Sequence, residues 1–252
     1  MLISAGKIFT YDIMKTKTEN LDLVYILGRG SRWFNNEIRF SLRSVCENLP
    51  HRRVILVGER PEWIQNILHI PAVDDRSCKL QNAMAKLRIL CETPGVSEDF
   101  ILMNDDFFIM RPMTYMPNYI NGTIQNLQET HETRAGYYYA AMDVTRTMLK
   151  MAIGKEPFNF ELHVPMVLNR DKFLKLTDTI LWKEKSYLFR SVYGNVFELD
   201  GINRMDVKIY RAKNLPDCDK MDLISTDNVT VLTPRFQKWI ARKFPKKCKY
   251  EQ

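Results

Sequence analysis

The chain has 252 residues, 45% hydrophobic and 27% charged, with a formal net charge of +7. That balance supplies a core for one large domain and speaks against general disorder, and no run of 18 apolar residues offers a bilayer-spanning helix. Cys46, Cys78, Cys91, Cys218 and Cys248 are odd in number and lack a CxxC spacing, so they signal neither a zinc ribbon nor a disulfide scaffold.

Residues Met1 to Tyr11 lack a basic n-region and a cleavage site and read as a first strand, or as packing against one. Leu21 to Leu27 is a short apolar run ended by Gly28-Arg29-Gly30-Ser31, the usual opening of an open α/β sheet. From Asn35 to Val45, Ile38, Leu42 and Val45 share a helical face, with Asn35 or Asn36 as the N-cap and Arg39 and Arg43 forming a basic ridge. Arg53 to Gly58 reads as a second strand, Glu62 to Gln65 as a helical turn opened by Pro61, and His69 to Pro71 as a third strand.

Lys79 to Glu92 carries a helix stripe of Leu80, Ala83, Met84, Leu87 and Leu90, closed by Pro94-Gly95. Phe100 to Met103 is then a central strand running into Asn104-Asp105-Asp106. The alternation predicts βαβ units, a Rossmann-type, mainly parallel sheet flanked by helices. Helices are expected within residues 113–151, over Thr145–Ile153 and over Asp171–Leu181. Val229 to Leu232 reads as a strand, and Arg235 to Phe244 as a terminal basic helix in a basic segment spanning 234–252. One domain, 1–252, is expected.

Ligands of open α/β sheets bind at the carboxyl ends of the strands, where Asn104, Asp105 and Asp106 fall. Adjacent carboxylates repel, and Mg²⁺ or Mn²⁺ bridging a diphosphate relieves that repulsion; an Asp-rich turn is the plainer reading. Backbone N–H groups at Gly28 and bidentate guanidinium groups at Arg39, Arg43 and Arg111 are candidate phosphate contacts, each with an ordinary ion-pair role as the alternative. The Gly28–Ser31 loop is neither a Walker A loop nor GxGxxG. His163 and Arg190 are open on sequence alone.

Several stretches, in order, resemble the Stealth family of sugar-phosphate transferases, from capsule synthesis and from lysosomal N-acetylglucosamine-1-phosphate transfer. They are Asp22 to Tyr25, Asn36-Glu37-Ile38-Arg39-Phe40-Ser41-Leu42-Arg43-Ser44, Pro61 to Ile64, and Pro94 to Phe108 with its Asn104-Asp105-Asp106. His163-Val164-Pro165 and Arg190 fit a later block. The resemblance spans roughly residues 20–195 and implies a GT-A-like fold, a UDP-sugar-type donor, and catalysis around Asp105, Asp106, His163 and Arg190. Where the family reads VYTWVDG, this chain reads Val24-Tyr25-Ile26-Leu27-Gly28-Arg29-Gly30, which places plain glycosyl transfer beside phosphosugar transfer.

The resulting expectation is a cytoplasmic nucleotide-sugar-dependent transferase. Asp105 or Asp106 holds a divalent cation, Asn104, Asn82 and Lys86 join the arginines on the donor, and His163 or one aspartate deprotonates an acceptor hydroxyl. The basic charge favours a polyanionic acceptor such as a hydroxymethylated base in phage-type DNA, with a phage-encoded protein acting in the host cytoplasm. The alternatives are a sugar-1-phosphate transferase acting on a capsule-like glycan, a metal-dependent phosphohydrolase, and a non-enzymatic nucleic-acid-binding module.

Overall fold

The computed structural model describes residues 17–29, 31–76, 78–211 and 215–252; the strand expected in residues 1–11 lies outside them. The elements begin β1 (Asp22–Leu27), α1 (Asn36–Asn48), β2 (Arg53–Gly58), β3 (Leu68–Ile70), α2 (Lys79–Glu92) and β4 (Asp99–Met103). They continue with β5 (Phe107–Ile109), β6 (Tyr119–Ile120), α3 (Ile124–Thr130), α4 (Tyr137–Ile153), β7 (Met166–Asn169) and α5 (Arg170–Thr179). Last come α6 (Phe189–Val196), β8 (Ile202–Asn203), β9 (Lys208–Ile209), β10 (Leu223–Thr226) and α7 (Pro234–Lys243).

The main sheet has the order β3-β2-β1-β4-β7, parallel except for β7, which runs antiparallel to β4. This is the mixed α/β, mainly parallel architecture expected, with β1 rather than β4 at its centre. Both faces are covered, so β1, β2 and β4 lack polar side chains other than Tyr25 after their first, charged residue and alternate between two cores. Leu23, Tyr25, Leu56, Ile101 and Met103 pack with Ile38, Leu42 and Val45 of α1. Val24, Ile55, Val57, Phe100 and Leu102 pack with Met84, Leu87 and Leu90 of α2 and Phe173 and Leu176 of α5.

A smaller sheet, β5-β10-β9, grows from the end of β4. Its free edge on β5 is covered by a polar stripe of α1. Ser41 Oγ donates to Phe107 O at 2.5 Å, Ser44 Oγ accepts from Ile109 N at 3.0 Å, and Asn48 Nδ2 donates to Ile109 O at 2.8 Å. Spaced i, i+3 and i+7, these side chains do for β5 what a neighbouring strand would do.

Some local expectations are corrected. Val229 to Leu232 forms turns, and the strand is β10, a few residues earlier; Val231 is nonetheless core, packed with Phe236 and Ile240 of α7. Glu62 to Gln65 is a turn without a helix, because Ile64 bridges to Glu251 instead. Asn35 occupies the N-cap position of α1 but is left-handed (φ 58°) and makes no side-chain cap. The Ser31 hydroxyl accepts from the Trp33 and Asn35 amides in its place. Of the five free thiols, Cys91 and Cys218 are buried, Cys78 and Cys248 half-buried and Cys46 exposed.

Gly58 closes β2 at φ +112°, and a Cβ there would stand 2.0 Å from Leu27 O. Gly58→Ala is therefore expected to lose at least the roughly 1–3 kcal/mol of a strained backbone, read as a lower urea midpoint. An unchanged midpoint would contradict this tight junction of β1 and β2.

Candidate functional site

The turn Asn104-Asp105-Asp106 joins β4 to β5 at the carboxyl edge of the sheet, with Phe107 N donating to Asn104 O at 3.3 Å. Strand register completes the surroundings of Asp106. Ser225 of β10 lies opposite Phe107, and Lys208 of β9 lies opposite Ser225. The Asp106 carboxylate accepts from Ser225 Oγ at 3.0 Å and from Lys208 Nζ at 3.3 Å.

Asp105 is met by its own backbone N–H and, at longer range, by Lys208; no side chain among the described residues hydrogen-bonds its carboxylate. Burial pushes its pKa up to about 7, and the neighbouring carboxylates of Asp106 and Glu37 push the same way, with Lys208 only partly opposing them. Glu37, in the first turn of α1, is itself buried and accepts from Ser31 Oγ at 2.7 Å. Asp105, Asp106 and Glu37 thus crowd three carboxyl groups at this edge, with Lys208 the cation beside them.

His163 lies on the loop before β7, with its Nδ1 2.6 Å from Asp206 Oδ2 and its own amide donating to Asp206 Oδ1 at 2.9 Å. Burial alone would raise the Asp206 pKa, but the hydrogen bond and charge of His163 outweigh it and hold it below the ordinary range. Asp206 fixes the imidazole orientation and leaves Nε2 as the nitrogen outside this pair.

Arg190, on α6, is 5% exposed and donates from one terminal nitrogen to Val164 O at 2.6 Å. Its other terminal nitrogen is buried without a hydrogen-bond partner. Burial lowers its pKa, while the charges of Glu161, Asp106 and Asp206 oppose that. Glu161 accepts from the Ser191 amide at the start of α6, and burial raises its pKa against the pull of Arg190. The guanidinium is thus buried among carboxylates with one terminal nitrogen unpartnered.

The structure therefore brings Asp106, Arg190 and the His163–Asp206 pair within electrostatic reach of one another, with Asp105 adjoining. A second group gathers on the same sheet edge, at the ends of β1 and β2. There Lys86 Nζ bridges Leu27 O at 2.9 Å and Asp74 Oδ1 at 2.5 Å, beside Gly28. Asn82 holds the same loop by hydrogen bonds to both the N–H and the C=O of Arg76. In this structure, then, Lys86 and Asn82 spend their donors on the chain itself.

Three expected donor contacts are placed elsewhere. Arg43 makes two 2.7 Å hydrogen bonds to the Glu251 carboxylate, and Arg39 stacks 4.3 Å from the Trp63 ring with Glu251 at 3.9 Å. Arg43 is committed to the C-terminal segment, which packs onto α1 with Tyr250 1% exposed, whereas Arg39 Nε is buried without a hydrogen-bond partner. Arg111 is exposed and donates to Lys220 O.

Sequence reading missed Asp206, Lys208 and Tyr210. A signal was present: in Asp206-Val207-Lys208-Ile209-Tyr210, Val207 and Ile209 are buried while the alternate residues reach the site, a strand period of two. Five residues with two charges gave too short a pattern to stand out.

Among the described residues, no three His, Cys, Asp or Glu side chains are grouped to hold a metal ion, and no helix is long and apolar enough to cross a membrane. No protein-family model matches the chain. It is 30% identical over 155 residues to the exopolysaccharide phosphotransferase SCO2592 of Streptomyces coelicolor, covering 54% of this chain and 16% of that protein. It is 26% identical over 182 residues to the capsular polysaccharide phosphotransferase fcs1 of Haemophilus influenzae, covering 64% of this chain and 50% of that one. The matches thus span half or less of these relatives' own lengths. Among solved structures, an active-site variant of LgtC aligns over 91% of this chain and 98% of its own, at 12% identity and a TM-score of 0.49. The chain is similar to polysaccharide phosphotransferases, as its motifs indicated.

Proposed function

We propose that this chain, a relative of exopolysaccharide and capsular polysaccharide phosphotransferases, transfers a sugar phosphate from a nucleotide sugar to a hydroxyl of a saccharide acceptor. The observation that carries the reading is the grouping of the Asp105–Asp106 turn, a buried Arg190 with an unspent donor, and the His163–Asp206 pair. The names of the relatives support phosphosugar over plain glycosyl transfer.

Arg190 meets the donor diphosphate with its unpartnered nitrogen, in a site dry enough for the charge to count. His163, held by Asp206, takes the proton of the acceptor hydroxyl as that oxygen attacks the phosphorus bearing the sugar. The phosphoanhydride bond breaks, its electron pair leaves with the nucleoside monophosphate, and the product is a sugar–phosphate–acceptor diester. In the glycosyl alternative the same base serves attack at the anomeric carbon, and the nucleoside diphosphate leaves.

The residues fit a divalent cation. Asp105 and Asp106 offer oxygen ligands in a turn with surplus negative charge, and Mg²⁺ sites commonly pair one or two carboxylates with substrate phosphates. When bound, the ion neutralises the diphosphate.

A saccharide acceptor is favoured over DNA by where the basic charge lies. Lys246, Lys247 and Lys249 line a cleft of about 480 Å³ with Glu19, Leu49 and His51, residues that precede β1 and β2 at the amino edge of the sheet. The candidate site is at the opposite, carboxyl edge. A hydroxymethylated DNA base is the second reading, resting on net charge.

The test is a panel of UDP-, GDP- and CDP-sugars with Mn²⁺ or Mg²⁺, saccharide acceptors and hydroxymethylcytosine DNA. Monophosphate release with a glycan gaining a sugar phosphate supports the proposal. Diphosphate release, with a hexose gained by glycan or DNA, moves it to glycosyl transfer. Absence of any donor turnover or binding would remove the enzyme reading and leave the basic surface as the lead.

Asp206→Asn is expected to lower kcat by about 10- to 100-fold, as losing a histidine's orienting partner does. Full kcat in this variant would remove the orienting role of Asp206.

A further inference from the structure

Tyr210 ends the alternating segment 206–210 and takes no part in the mechanism above. It follows β9 on the face shared by Asp206 and Lys208, while Ile209 turns into the core. Its ring meets that of His163 edge-on, with centroids 6.2 Å apart at 90°, and Lys208 Nζ lies 5.7 Å from its centroid. Even so, Tyr210 is 60% exposed. A large aromatic held beside a catalytic base, with so much surface open to solvent, is placed to contact what the base deprotonates.

We propose that Tyr210 is the platform on which the acceptor's sugar ring stacks, an inference resting on His163 acting as base toward a saccharide hydroxyl. A pyranose presents a face of C–H groups ringed by hydroxyls, and the electron-rich face of a phenol ring is complementary to it. The reacting hydroxyl must come within about 3 Å of His163 Nε2. Two rings with centroids 6.2 Å apart leave a stacked sugar able to put an equatorial hydroxyl at that distance. Burial, with Asp206, Asp106, Asp227 and Glu132 nearby, pushes the Tyr210 phenol up to about 12, so the ring stays neutral at working pH. The same carboxylates repel phosphates, which favours a neutral sugar here over a nucleotide of a DNA strand.

The experiment reads binding without turnover. Methyl β-N-acetylglucosaminide and methyl glucoside are titrated onto the full chain carrying labelled tyrosine rings, with a single-stranded oligodeoxynucleotide as the competing probe. The Tyr210 signal, identified by its loss in Tyr210→Ala, is expected to move with a pyranoside and not with the oligonucleotide. Transfer of magnetisation to the sugar C–H protons should require about five- to tenfold more pyranoside in Tyr210→Ala, as loss of one stacked ring predicts, and stay within about twofold in Tyr210→Phe and Tyr210→Trp. A Tyr210 signal moved only by the oligonucleotide, moved by neither probe, or followed by unaltered sugar binding in Tyr210→Ala would overturn the platform. Because Phe and Trp keep the ring, their rescue separates stacking from misfolding. Nucleotide release in the donor panel judges the transferase reading separately, so an active enzyme with an unmoved Tyr210 sinks the platform alone.

Discussion

Asp105→Asn is expected to stabilise the metal-free protein at pH 8 by roughly 2–4 kcal/mol while abolishing transferase turnover. The reason is the charge it removes. Asp105 titrates near 7 in the folded chain, because burial and the carboxylates of Asp106 and Glu37 disfavour its ionised form. Below about pH 4 the group is protonated in both folded and unfolded chains and contributes no difference. As pH rises from there, the unfolded chain ionises first, so the folded state loses stability until about pH 7, and the full penalty holds above that.

Asparagine lacks this penalty, so the two proteins should be equally stable near pH 4 and diverge by pH 8. Urea denaturation at both pH values measures it; curves that coincide at pH 8 would contradict the electrostatic account. Mn²⁺ should raise the melting temperature of the parent chain more at pH 8 than at pH 5, and that of Asp105→Asn little at either. Since the variant is the more stable protein, its loss of turnover cannot be ascribed to unfolding. Retained turnover would instead show that the carboxylate is dispensable.

Arg43→Ala should produce the largest loss of stability, about 3–5 kcal/mol, by leaving a buried carboxylate without its partner. Glu251 has a side chain 2% exposed, and Arg43 is 12% exposed, with two 2.7 Å hydrogen bonds joining them. Burial alone would raise the Glu251 pKa; the Arg43 hydrogen bond and the Cys248 backbone N–H outweigh it and set it below the ordinary value. The stability from that shift is complete above about pH 4.5 and is lost as pH falls through the depressed value. The gap between parent and variant should therefore narrow in acid, where Glu251 can protonate. Replacing both residues by apolar ones of similar size should recover most of the loss. Donor KM, measured where the variant remains folded, is expected to stay within about twofold of the parent. A KM rise of about tenfold or more, in a stable variant, would return Arg43 to the donor site.

The expected donor arginines show where sequence reading loses sight of a fold. Arg39 and Arg43 were legible as a basic ridge on α1, and so was the opposite apolar face of Ile38, Leu42 and Val45. A guanidinium on a helix has no address until something lies against it. Here Glu251, some two hundred residues later, comes to lie against both. The same holds for Lys86 and Asn82, whose helix was legible to the residue but whose donors are taken by Asp74 and Arg76, in a loop without periodicity.

Legible from residue order alone are the local and periodic parts: β1, α1, β2, α2 and β4, the mainly parallel sheet they build, and the turn Asn104-Asp105-Asp106 at its carboxyl edge. Those elements are encoded by apolar spacing over five to fourteen residues, which any reader of the chain can count. Long-range packing is what holds Asp106 by Ser225 and Lys208, orients His163 by Asp206, and leaves Arg190 with a donor unspent. Each of these pairings joins residues 43 to 119 positions apart or rests on burial from several elements at once. Strand register in the β5-β10-β9 sheet sets the Asp106 contacts, and strands of two to four residues leave too short a pattern in sequence to announce their partners.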